Sequence, residues 1–400
     1  KASGELKTKP TQQSVKALQG MGISPDVIVC RTEVPLEDGI ESKIALFCNV
    51  PEDHVLQNLD VEYLYEAPLA MEKERLAHVV CECLHLPCPE PQLGDWKQMV
   101  DALKNPTSEV TIALVGKYIQ LHDAYLSVME ALKHGGIANR TKVTIKWVDS
   151  EFLKPEALDD TFAGVDGIII PGGFGSRGTE GMILAANYAR ENKIPFLGIC
   201  LGMQMAMVAF ARNVLGYADA NSSELDPETT HPVVDLMPDQ NGVENLGGTL
   251  RLGSYPCVLD KKSKAYSLYG TDMINERHRH RFEINNDYRD DFTSHGMMIS
   301  GQSPDGHIVE MIELPDHPFY VGIQAHPEFK SRPNHAHPLF AGFVESAEEQ
   351  GVLRRAKKLL MKRNHLSEPE AHRYLQKTSM DTGRTMAESA HMVTMLIQED

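Results

Sequence analysis

The sequence predicts an α/β protein built around a parallel sheet, and three observations support this. Short apolar runs such as VTIALVG at 110–116 alternate with amphipathic segments, which is typical of a parallel sheet whose strands are joined by helices. The run LPCPEPQLGDW at 86–96 is rich in Pro and Gly, lacks periodicity and predicts a linker. The last 50 residues have helical patterns only. We therefore expect two α/β segments followed by a small all-α module.

Individual elements follow from the same patterns. Helices are predicted near 12–18, 42–47, 70–83 and 124–133, and strands at 26–30, 110–116, 143–148, 167–170 and 196–199. In the tail, Ser367 with Glu370 and Thr385 with Glu388 have the spacing of capping boxes, which mark helix starts. Ligands of a parallel sheet bind at the carboxyl ends of its strands, so functional residues are expected there.

Charge and hydropathy exclude several classes of protein. The 400 residues carry a net charge of −17, which argues against general nucleic-acid binding, although residues 351–400 have an excess of basic side chains. No apolar run approaches the roughly 18 residues that cross a bilayer, and no leader-like segment opens the chain. A cytoplasmic protein without membrane contact is expected.

Seven cysteines at irregular positions do not form a secreted disulfide framework, so reduced thiols are expected. Cys81, Cys83, His85 and Cys88 lie close together in the sequence. Their spacing does not match ordinary zinc patterns and favours a helix end followed by a linker.

Cys200 is the strongest candidate for a nucleophile. It lies in GICLG, between a predicted buried strand and a predicted helix, and the flanking glycines permit a tight turn that exposes the side chain. A helix N-terminus favours thiolate over thiol. The alternative is an inert buried cysteine at a strand end.

Two further segments supply the partners that a nucleophile needs. In VGIQAHPEF, alternation along an extended segment places His326 and Glu328 on the same side, as a base and the group that orients it. In GIIIPGGFG, Gly172 and Gly173 allow backbone N–H groups to face an oxyanion. A surface histidine and a simple βα turn are the plainer interpretations.

Together the PGG turn, the G-x-C-x-G elbow and the late H-P-E resemble the class I glutamine amidotransferase domain over about residues 110–350. That family has a flavodoxin-like parallel sheet. The resemblance implies that Cys200 attacks the side-chain amide of glutamine, that His326 protonates the departing ammonia, and that water releases glutamate from the thioester.

Longer motifs resemble the CTP synthase family: PGGFGSRGTEGMI, GICLGMQ, NSSE, ERHRHRFEINN and QAHPEFKSRP. The resemblance implies that opposite charges hold the zwitterionic end of glutamine. The implied glutamine-binding residues are Gly173, Leu201, Gly202, Met203, Gln204, Glu224 and Arg281. It also implies GTP as allosteric activator, near Arg177 and Gly178.

The first segment, KASGELKTKPTQ, resembles part of the P-loop-type amidoligase domain of the same family. The implied UTP- or CTP-binding residues are Lys7, Thr8, Lys9, Pro10, Thr11, Gln12 and Lys43, and those near ATP are Leu59, Asp60 and Val61. Basic side chains and hydroxyls suit phosphates, but a solvated basic turn is the plainer interpretation. The family uses ATP with Mg²⁺ and forms homotetramers.

The Gly-rich phosphate loop and the magnesium ligands of that family are not found in these 400 residues, so no metal ligand is predicted. We expect an N-terminally truncated chain that hydrolyses glutamine without making CTP. The expected organisation is 1–90 amidoligase end, 91–108 linker, 109–348 amidotransferase and 349–400 helical module.

The tail resembles the ANTAR domain, a helical RNA-binding antiterminator module, through AKKLLMKR and LSEPEAHRYLQKTSMD. The residues that would meet RNA phosphates are Arg354, Arg355, Lys357, Lys358, Lys362 and Arg363, with Arg373 and Lys377 extending the surface. A solvated face used for oligomer contacts is the plainer interpretation.

Two other functional readings stay open at this stage. One is an RNA-binding regulator whose amidotransferase domain only senses glutamine or nucleotides. The other is a different class I amidotransferase or a γ-glutamyl hydrolase, which KTKPTQ and RHRHRFE disfavour.

Overall fold

The structure, a computed structural model, describes residues 6–236 and 251–398. Residues 1–5 of the predicted amidoligase end and residues 237–250 of the predicted amidotransferase segment lie outside the described part. The chain divides into two compact units, residues 1–101 and residues 102–400. In the part of the chain that is described, no helix combines the length and the apolarity needed to cross a membrane.

The first unit contains a two-stranded parallel sheet covered by helices. Its strands are β1 (Ile28–Thr32) and β2 (Val55–Leu59), with Ile28 opposite Val55. Its helices are α1 (Lys9–Gly20), α2 (Ile40–Cys48), α3 (Ala67–Lys73) and α4 (Leu76–Cys83). A small core joins them: Val15, Ile28, Ile44, Ala45, Cys48 and Val55.

The single helix predicted at 70–83 is in fact two helices. Arg75 has a φ of 59°, in the left-handed region, which ends α3 and redirects the chain into α4. Immediately before it, the Glu74 carboxylate accepts hydrogen bonds from the backbone and side-chain N–H groups of Gln57, both at 3.3 Å. A tertiary contact to β2 therefore accompanies the break, and the periodicity of the segment does not reveal it.

A helix, α5 (Gly94–Lys104), lies inside the predicted linker 91–108. Its Trp96 donates from Nε1 to the Tyr65 carbonyl at 2.7 Å and packs edge-on against the Tyr65 ring. Met99 and Val100 are buried. The aromatic anchor orders a segment that the density of Pro and Gly before it had suggested would be irregular.

The second unit is organised by a nine-stranded sheet in the order β10-β9-β12-β13-β14-β6-β5-β3-β4, with a three-stranded sheet β11-β8-β7 beside it. The strands are β3 (Ser108–Gly116), β4 (Thr141–Asp149), β5 (Gly167–Ile170), β6 (Phe196–Ile199), β7 (Asn221–Ser222), β8 (Pro232–Leu236), β9 (Arg251–Leu259), β10 (Met273–His280), β11 (Phe282–Ile284), β12 (Met298–Gln302), β13 (Val309–Glu313) and β14 (Tyr320–Ile323). The strands from β14 to β4 are parallel, which confirms the predicted α/β class. The antiparallel half, β10 to β13, was not predicted.

Helices cover both faces of this sheet. They are α6 (Leu126–Ala138), α7 (Leu158–Phe162), α8 (Thr179–Glu191), α9 (Leu201–Phe210), α10 (Lys264–Tyr269), α11 (Arg289–Ser294), α12 (Pro338–Asn364), α13 (Glu368–Thr382) and α14 (Met386–Gln398). Alternation along β3 places Ala113 and Val115 in one core and Ile112 and Leu114 in the other. Burying each large aliphatic side chain contributes about 1.5–3 kcal/mol, so these two cores hold the strand ends in register.

One continuous helix, α12, joins the core of the nine-stranded sheet to the tail. Phe340 and Phe343 pack in the core of the sheet, whereas Ala356 and Leu360 pack against α13 and α14. The predicted boundary at residue 349 therefore falls in the middle of a helix. The predicted capping box at Ser367 is confirmed, since the Glu370 carboxylate accepts from the Ser367 backbone N–H at 2.8 Å.

Arg354 ties this helix to the sheet, and its loss is expected to destabilise the second unit. The guanidinium donates to the Val165 carbonyl at 2.8 Å and lies 2.9 Å from the buried Asp166 carboxylate. We expect Arg354→Ala to lower the free energy of unfolding by about 1–3 kcal/mol, because Asp166 loses its partner. The exposed Lys358→Ala on the same helix is the matched control and should change it by less than about 0.5 kcal/mol. Equal effects in denaturant titrations would contradict the anchoring role.

Candidate active site

Cys200 lies in a strained turn between β6 and α9. Its φ of 51° and ψ of −104° are unusual for a residue with a side chain and are held by tight packing on both sides. A Cβ on Gly202 would lie 2.1 Å from the Ile170 carbonyl oxygen, so only glycine fits there. The Cys200 N–H donates to the Ile323 carbonyl at 2.7 Å, which ties the turn to β14. This is the geometry of a nucleophile elbow.

His326 and Glu328 approach Cys200 from the segment that follows β14, the strand beside β6. His326 Nδ1 lies 2.8 Å from Glu328 Oε1 and donates to it, because a carboxylate oxygen only accepts. A Cβ on Gly172 would lie 2.6 Å from His326 Cε1 and 3.6 Å from the Cys200 Cβ, so these three residues enclose one small space. His326 Nε2 is buried and remains available for the thiol.

The backbone that brings His326 and Glu328 together is not the extended segment that was expected. Residues Pro327–Lys330 form a 3₁₀ turn, with His326 as its N-cap. The pairing results from this turn and not from alternation along a strand. The turn lies on β10, where the His326 N–H donates to the Arg277 carbonyl at 2.7 Å.

Electrostatics favour a charged imidazole at His326. Burial disfavours the imidazolium, but Cys200 and Glu328 stabilise it more strongly, and the pKa of His326 is raised. The Glu328 side chain is itself almost fully buried. A histidine held between a cysteine and a carboxylate is the arrangement that activates a cysteine nucleophile.

The turn after β5 forms one wall of the site, and a lysine that the sequence analysis missed supports it. Lys117 Nζ donates to the carbonyl oxygens of Phe174 and Gly175, both at 2.6 Å. A Cβ on Gly173 would lie 3.2 Å from Lys117 Cε. Burial lowers the pKa of Lys117. The available signal was a lysine placed directly after the buried strand VTIALVG.

Gln204 and Gln324 form a buried pair beneath Cys200. Gln204 Nε2 donates to the Phe282 carbonyl at 2.9 Å and lies 3.2 Å from Gln324 Oε1. Gln324 Nε2 lies 3.6 Å from Cys200 Sγ. Gln324 was not predicted. Gln204 and Met203 were predicted to bind glutamine, but both side chains are buried and Met203 belongs to the core.

Of the predicted charged pair, Glu224 faces the same loop as Lys117. Burial raises the pKa of Glu224, while the Gly175 N–H and the cations Lys117 and Arg281 oppose that rise. Glu224 and Arg281 are therefore close enough to interact, at the end of the sheet where Cys200 lies. Opposite charges at one mouth suit an α-amino acid.

Arg177 and Gly178, predicted for GTP, start α8 next to this loop. Arg177 pairs with Glu151 at 2.9 Å and donates to the Lys117 carbonyl at 3.0 Å. Gly178 has a φ of 72°, and a Cβ there would lie 2.4 Å from Ser150 Oγ, so this position requires glycine. The described contacts give Arg177 a structural role at the loop.

In the first unit, part of the predicted nucleotide set lines a cavity of about 480 Å³. The lining residues that were predicted are Lys7, Thr8, Thr11 and Asp60. The predicted residues outside that lining are Lys9, Pro10, Gln12, Lys43, Leu59 and Val61. Arg31, which was not predicted, also lines the cavity and forms an ion pair with Asp60. Two cationic residues, Lys7 and Arg31, and three threonines, Thr8, Thr11 and Thr32, thus line the same space.

The tail residues predicted to contact RNA divide into two groups. Arg354 is engaged with Val165 and Asp166, and Lys357 pairs with Glu368 at 2.7 Å. The exposed members are Arg355, Lys358, Lys362, Arg363, Arg373 and Lys377.

The arrangement of possible ligand side chains bears on metal binding. In residues 6–236 and 251–398, no group of three or more His, Cys, Asp or Glu side chains could hold a metal ion. The cysteines near 81–88 lie in the first unit, where Cys83 Sγ is 3.7 Å from His54 Nδ1. The described part of the chain therefore shows no metal centre built from three or more such side chains.

The site combines an elbow cysteine, a paired histidine and a glycine turn at the end of a parallel sheet. This combination is typical of enzymes that use a cysteine nucleophile. The chain belongs to the class I glutamine amidotransferase family, whose model matches residues 120–346. A model described as CTP synthase N-terminus matches residues 1–86, and the ANTAR domain model matches residues 343–393.

Relatives narrow the resemblance to CTP synthases. The CTP synthase of Ruminiclostridium cellulolyticum is 60% identical over 347 residues, and that of Clostridium beijerinckii is 57% identical over 348. Each match covers 87% of this chain and 65% of the relative, so the chain spans somewhat less than two thirds of these relatives. A solved structure, the glutaminase domain of Trypanosoma brucei CTPS with bound acivicin, is 39% identical with a TM-score of 0.57. It covers 60% of this chain and 93% of that one.

Proposed function

We propose that this chain hydrolyses glutamine to glutamate and ammonia and is the glutaminase-bearing part of a CTP synthase. The observation that carries the proposal is the enclosure of Cys200, His326 and the Gly172 turn in one space at the end of the sheet. In this reading Cys200, His326 and Glu328 are catalytic or orienting, and residues 109–348 are the amidotransferase segment. The match of residues 1–86 to the CTP synthase N-terminus model supports the assignment to that family.

The first chemical step is attack of the Cys200 thiolate on the side-chain carbonyl carbon of glutamine. The S–C bond forms and the carbonyl electron pair moves to oxygen. Backbone N–H groups at Gly172 and Gly173 stabilise this oxyanion, since a glycine turn leaves room for the oxygen. One such donor typically contributes about 10²–10³ in rate.

Proton transfer then completes both half-reactions. His326 gives its proton to the leaving nitrogen, the C–N bond breaks, and ammonia departs from the thioester. His326 next takes a proton from water, and the water oxygen attacks the thioester carbon. The C–S bond then breaks, glutamate leaves, and His326 returns the proton to the Cys200 sulfur. Glu328 holds Nδ1–H, which keeps Nε2 directed to the reacting atoms.

Substrate recognition is proposed to come from the charges at the mouth of the site. Glu224 would hold the α-ammonium group of glutamine and Arg281 its α-carboxylate, while Gly173 and the backbone of residues 201–204 line the side-chain slot. Lys117 shapes the loop that carries Gly173, because it binds the carbonyl groups of the next two residues. Arg177 and Gly178 are the proposed neighbours of the activator GTP.

By the same resemblance, the ammonia is used for the ATP-dependent amination of UTP to CTP. The cavity lined by Lys7, Thr8 and Thr11 is the proposed place of the pyrimidine nucleotide. A Gly-rich phosphate loop is not found in these 400 residues. We therefore propose that the chain, assayed by itself, releases ammonia without making CTP. Homotetrameric assembly is proposed from the family alone.

Release of glutamate and ammonia by the purified 400-residue chain, with and without GTP, tests this proposal. We expect the two products in equal amounts. Failure to exceed the background set by Cys200→Ala would overturn it.

A second candidate function is RNA binding by the tail. It is supported by the ANTAR match at 343–393 and by the exposed cations of α12 and α13. The remaining alternative, a regulator that senses glutamine without hydrolysing it, shares this surface.

A filter-binding titration against hairpin RNA at several salt concentrations tests the tail. We expect the logarithm of affinity to fall linearly with the logarithm of salt, and Lys358→Ala with Lys362→Ala to reduce the slope by about 1–2. Arg384→Ala, on the loop before α14, is a control that should leave the slope nearly unchanged. Binding without salt dependence would contradict phosphate recognition.

A further inference from the structure

A row of buried polar side chains runs through the antiparallel half of the sheet and ends at the Phe282 carbonyl. Arg251 on β9 pairs with Glu310 on β13 at 2.6 Å, and His278 Nε2 on β10 lies 3.6 Å from the other Glu310 oxygen. His278 Nδ1 is 3.1 Å from His280 Nε2, and His280 Nδ1 is 3.1 Å from the Phe282 carbonyl. All four side chains are at least nine-tenths buried. The reaction described above uses none of them.

The Phe282 carbonyl fixes the direction of this row. A carbonyl only accepts, so His280 must carry its proton on Nδ1, which leaves Nε2 as an acceptor. His278 must then donate from Nδ1, and its Nε2 becomes a bare acceptor facing Glu310. The two atoms are 3.6 Å apart and form no hydrogen bond in the structure. As two acceptors in a buried site they repel, unless the Glu310 carboxyl carries a proton that draws them together.

Burial also favours the protonated form of the Glu310 carboxyl. The pKa of Glu310 is raised to about 7 by burial, against the pull of Arg251. Burial lowers the pKa values of His278 and His280, so neither imidazole becomes charged in its place. The groups that act on these three side chains are Arg251, Tyr255, Cys257, Asp305 and His326.

When Glu310 ionises, the direction of the row can reverse. The Glu310 proton passes to His278 Nε2, the Nδ1 proton of His278 passes to His280 Nε2, and the Nδ1 proton of His280 leaves to water. One proton is lost and no bond between heavy atoms changes. His280 Nδ1 then presents a lone pair to the Phe282 carbonyl, and the hydrogen bond between them is lost.

The Phe282 carbonyl is connected to the candidate active site. It also accepts from Gln204 Nε2, which contacts Gln324, and Gln324 lies 3.6 Å from Cys200 Sγ. The backbone of Gln324 is also held, because its backbone N–H donates to the backbone carbonyl of Glu310 at 2.8 Å. Phe282 directly follows Arg281, the proposed partner of the glutamine carboxylate.

We propose that Glu310, His278 and His280 are positioning residues for glutamine binding, forming a proton-controlled switch that sets the Phe282 carbonyl and with it Arg281 and Gln324. The proton-bearing state holds the carbonyl and the reversed state releases it. This inference rests on the proposed glutaminase function. Glutamine affinity should therefore fall as pH rises through the titration of Glu310.

The test compares E310Q with E313Q. The amide of E310Q donates to His278 Nε2 without titrating and accepts from Arg251, which locks the row in its first state. Glu313 is a buried glutamate on the same strand that accepts from Lys264 N–H and Ala265 N–H at the start of α10. Neither of its partners is in contact with Glu310, His278 or His280 through a hydrogen bond given above, which makes E313Q the matched control.

We expect KM for glutamine in the parent and in E313Q to rise about fivefold from about pH 6 to about pH 8, the effect of one lost buried hydrogen bond. In E310Q it should stay at the low-pH value. Changes in kcat from titration of His326 should be common to all three. A parent KM that does not rise, or an E310Q profile that follows the parent, overturns the inference.

A second measurement does not depend on catalysis. It tests the inference even if a variant misfolds or the parent chain is inactive. Nitrogen-15 NMR of labelled histidines, with the His280 signal assigned by its loss in H280Q, reports which ring nitrogen carries the proton. We expect protonation at Nδ1 near pH 6 and at Nε2 near pH 8. The same tautomer at both pH values overturns the inference even if the chain hydrolyses glutamine. If the tautomer of His280 switches with pH but glutamine is not hydrolysed, the proposed function is refuted and the proton-controlled switch is not.

Discussion

Cys200→Ala should reduce glutamine hydrolysis by about 10⁴-fold or more, to the level of the uncatalysed background. Without the sulfur no thioester forms, and the oxyanion turn alone cannot replace a nucleophile. The fold should survive, because the strained backbone at Cys200 is held by the close approach of Gly202 to Ile170 and by the bond to Ile323. Initial rates of glutamate release, with thermal unfolding as a check, measure the effect.

Cys257→Ala is the matched control for this variant. Cys257 is also a buried thiol of the second unit, and burial raises its pKa, which disfavours the reactive thiolate form. We expect it to retain hydrolysis within a few-fold of the parent, although a small cavity lowers stability. Comparable losses in the two variants would indicate that damage to the core, and not loss of a nucleophile, explains the result for Cys200.

Glu328→Gln should have the second largest effect, a loss of about 10²–10⁴ in kcat. The buried carboxylate accepts the Nδ1 proton of His326 at 2.8 Å, which fixes the tautomer and stabilises the imidazolium. A neutral amide can present either oxygen or nitrogen to the ring and supplies no charge. KM for glutamine should change little, because Glu328 does not lie at the charged mouth.

The pH dependence separates this effect from simple disruption. The pKa of His326 is raised in the folded protein, so the imidazolium is favoured up to a higher pH than in a free histidine. The stability that it contributes is present below the ordinary histidine pKa and is lost as pH rises through the raised value. Glu328→Gln should shift the pH profile of kcat to lower pH. Glu328→Asp, which keeps the charge, should shift it less, and equal shifts would contradict the electrostatic role.

Much of the fold could be predicted because short apolar runs are a local signal. The strands at 167–170 and 196–199 have the predicted bounds, since both are fully buried and read as short runs without polar side chains, GIII and FLGI. The antiparallel strands β9 and β10 were not predicted. On β10 the buried positions are Glu276, His278 and His280 as well as Ile274, so the buried face is largely polar and gives no hydrophobic pattern.

Site residues could be predicted from the sequence where their chemistry lies in a local motif. Cys200, His326 and the Gly172 turn lie in motifs whose local chemistry is readable. Lys117 and Gln324 were missed because their partners lie far along the chain. The position of Lys117 directly after a buried strand is a local signal, but it does not indicate those partners. The continuity of α12 past residue 349 was missed for a similar reason. Its apolar face changes partners midway, from the sheet to α13 and α14.

Selective labelling distinguishes a Cys200 nucleophile that recognises glutamine from an inert buried thiol. The parent chain is treated with an electrophilic chloroketone analogue of glutamine, and the modified cysteine is mapped by mass spectrometry. The account predicts one adduct, at Cys200 among the seven cysteines, formed more slowly when glutamine is present and absent in Cys200→Ala. Labelling at another cysteine, or labelling of Cys200 that glutamine does not slow, would contradict it.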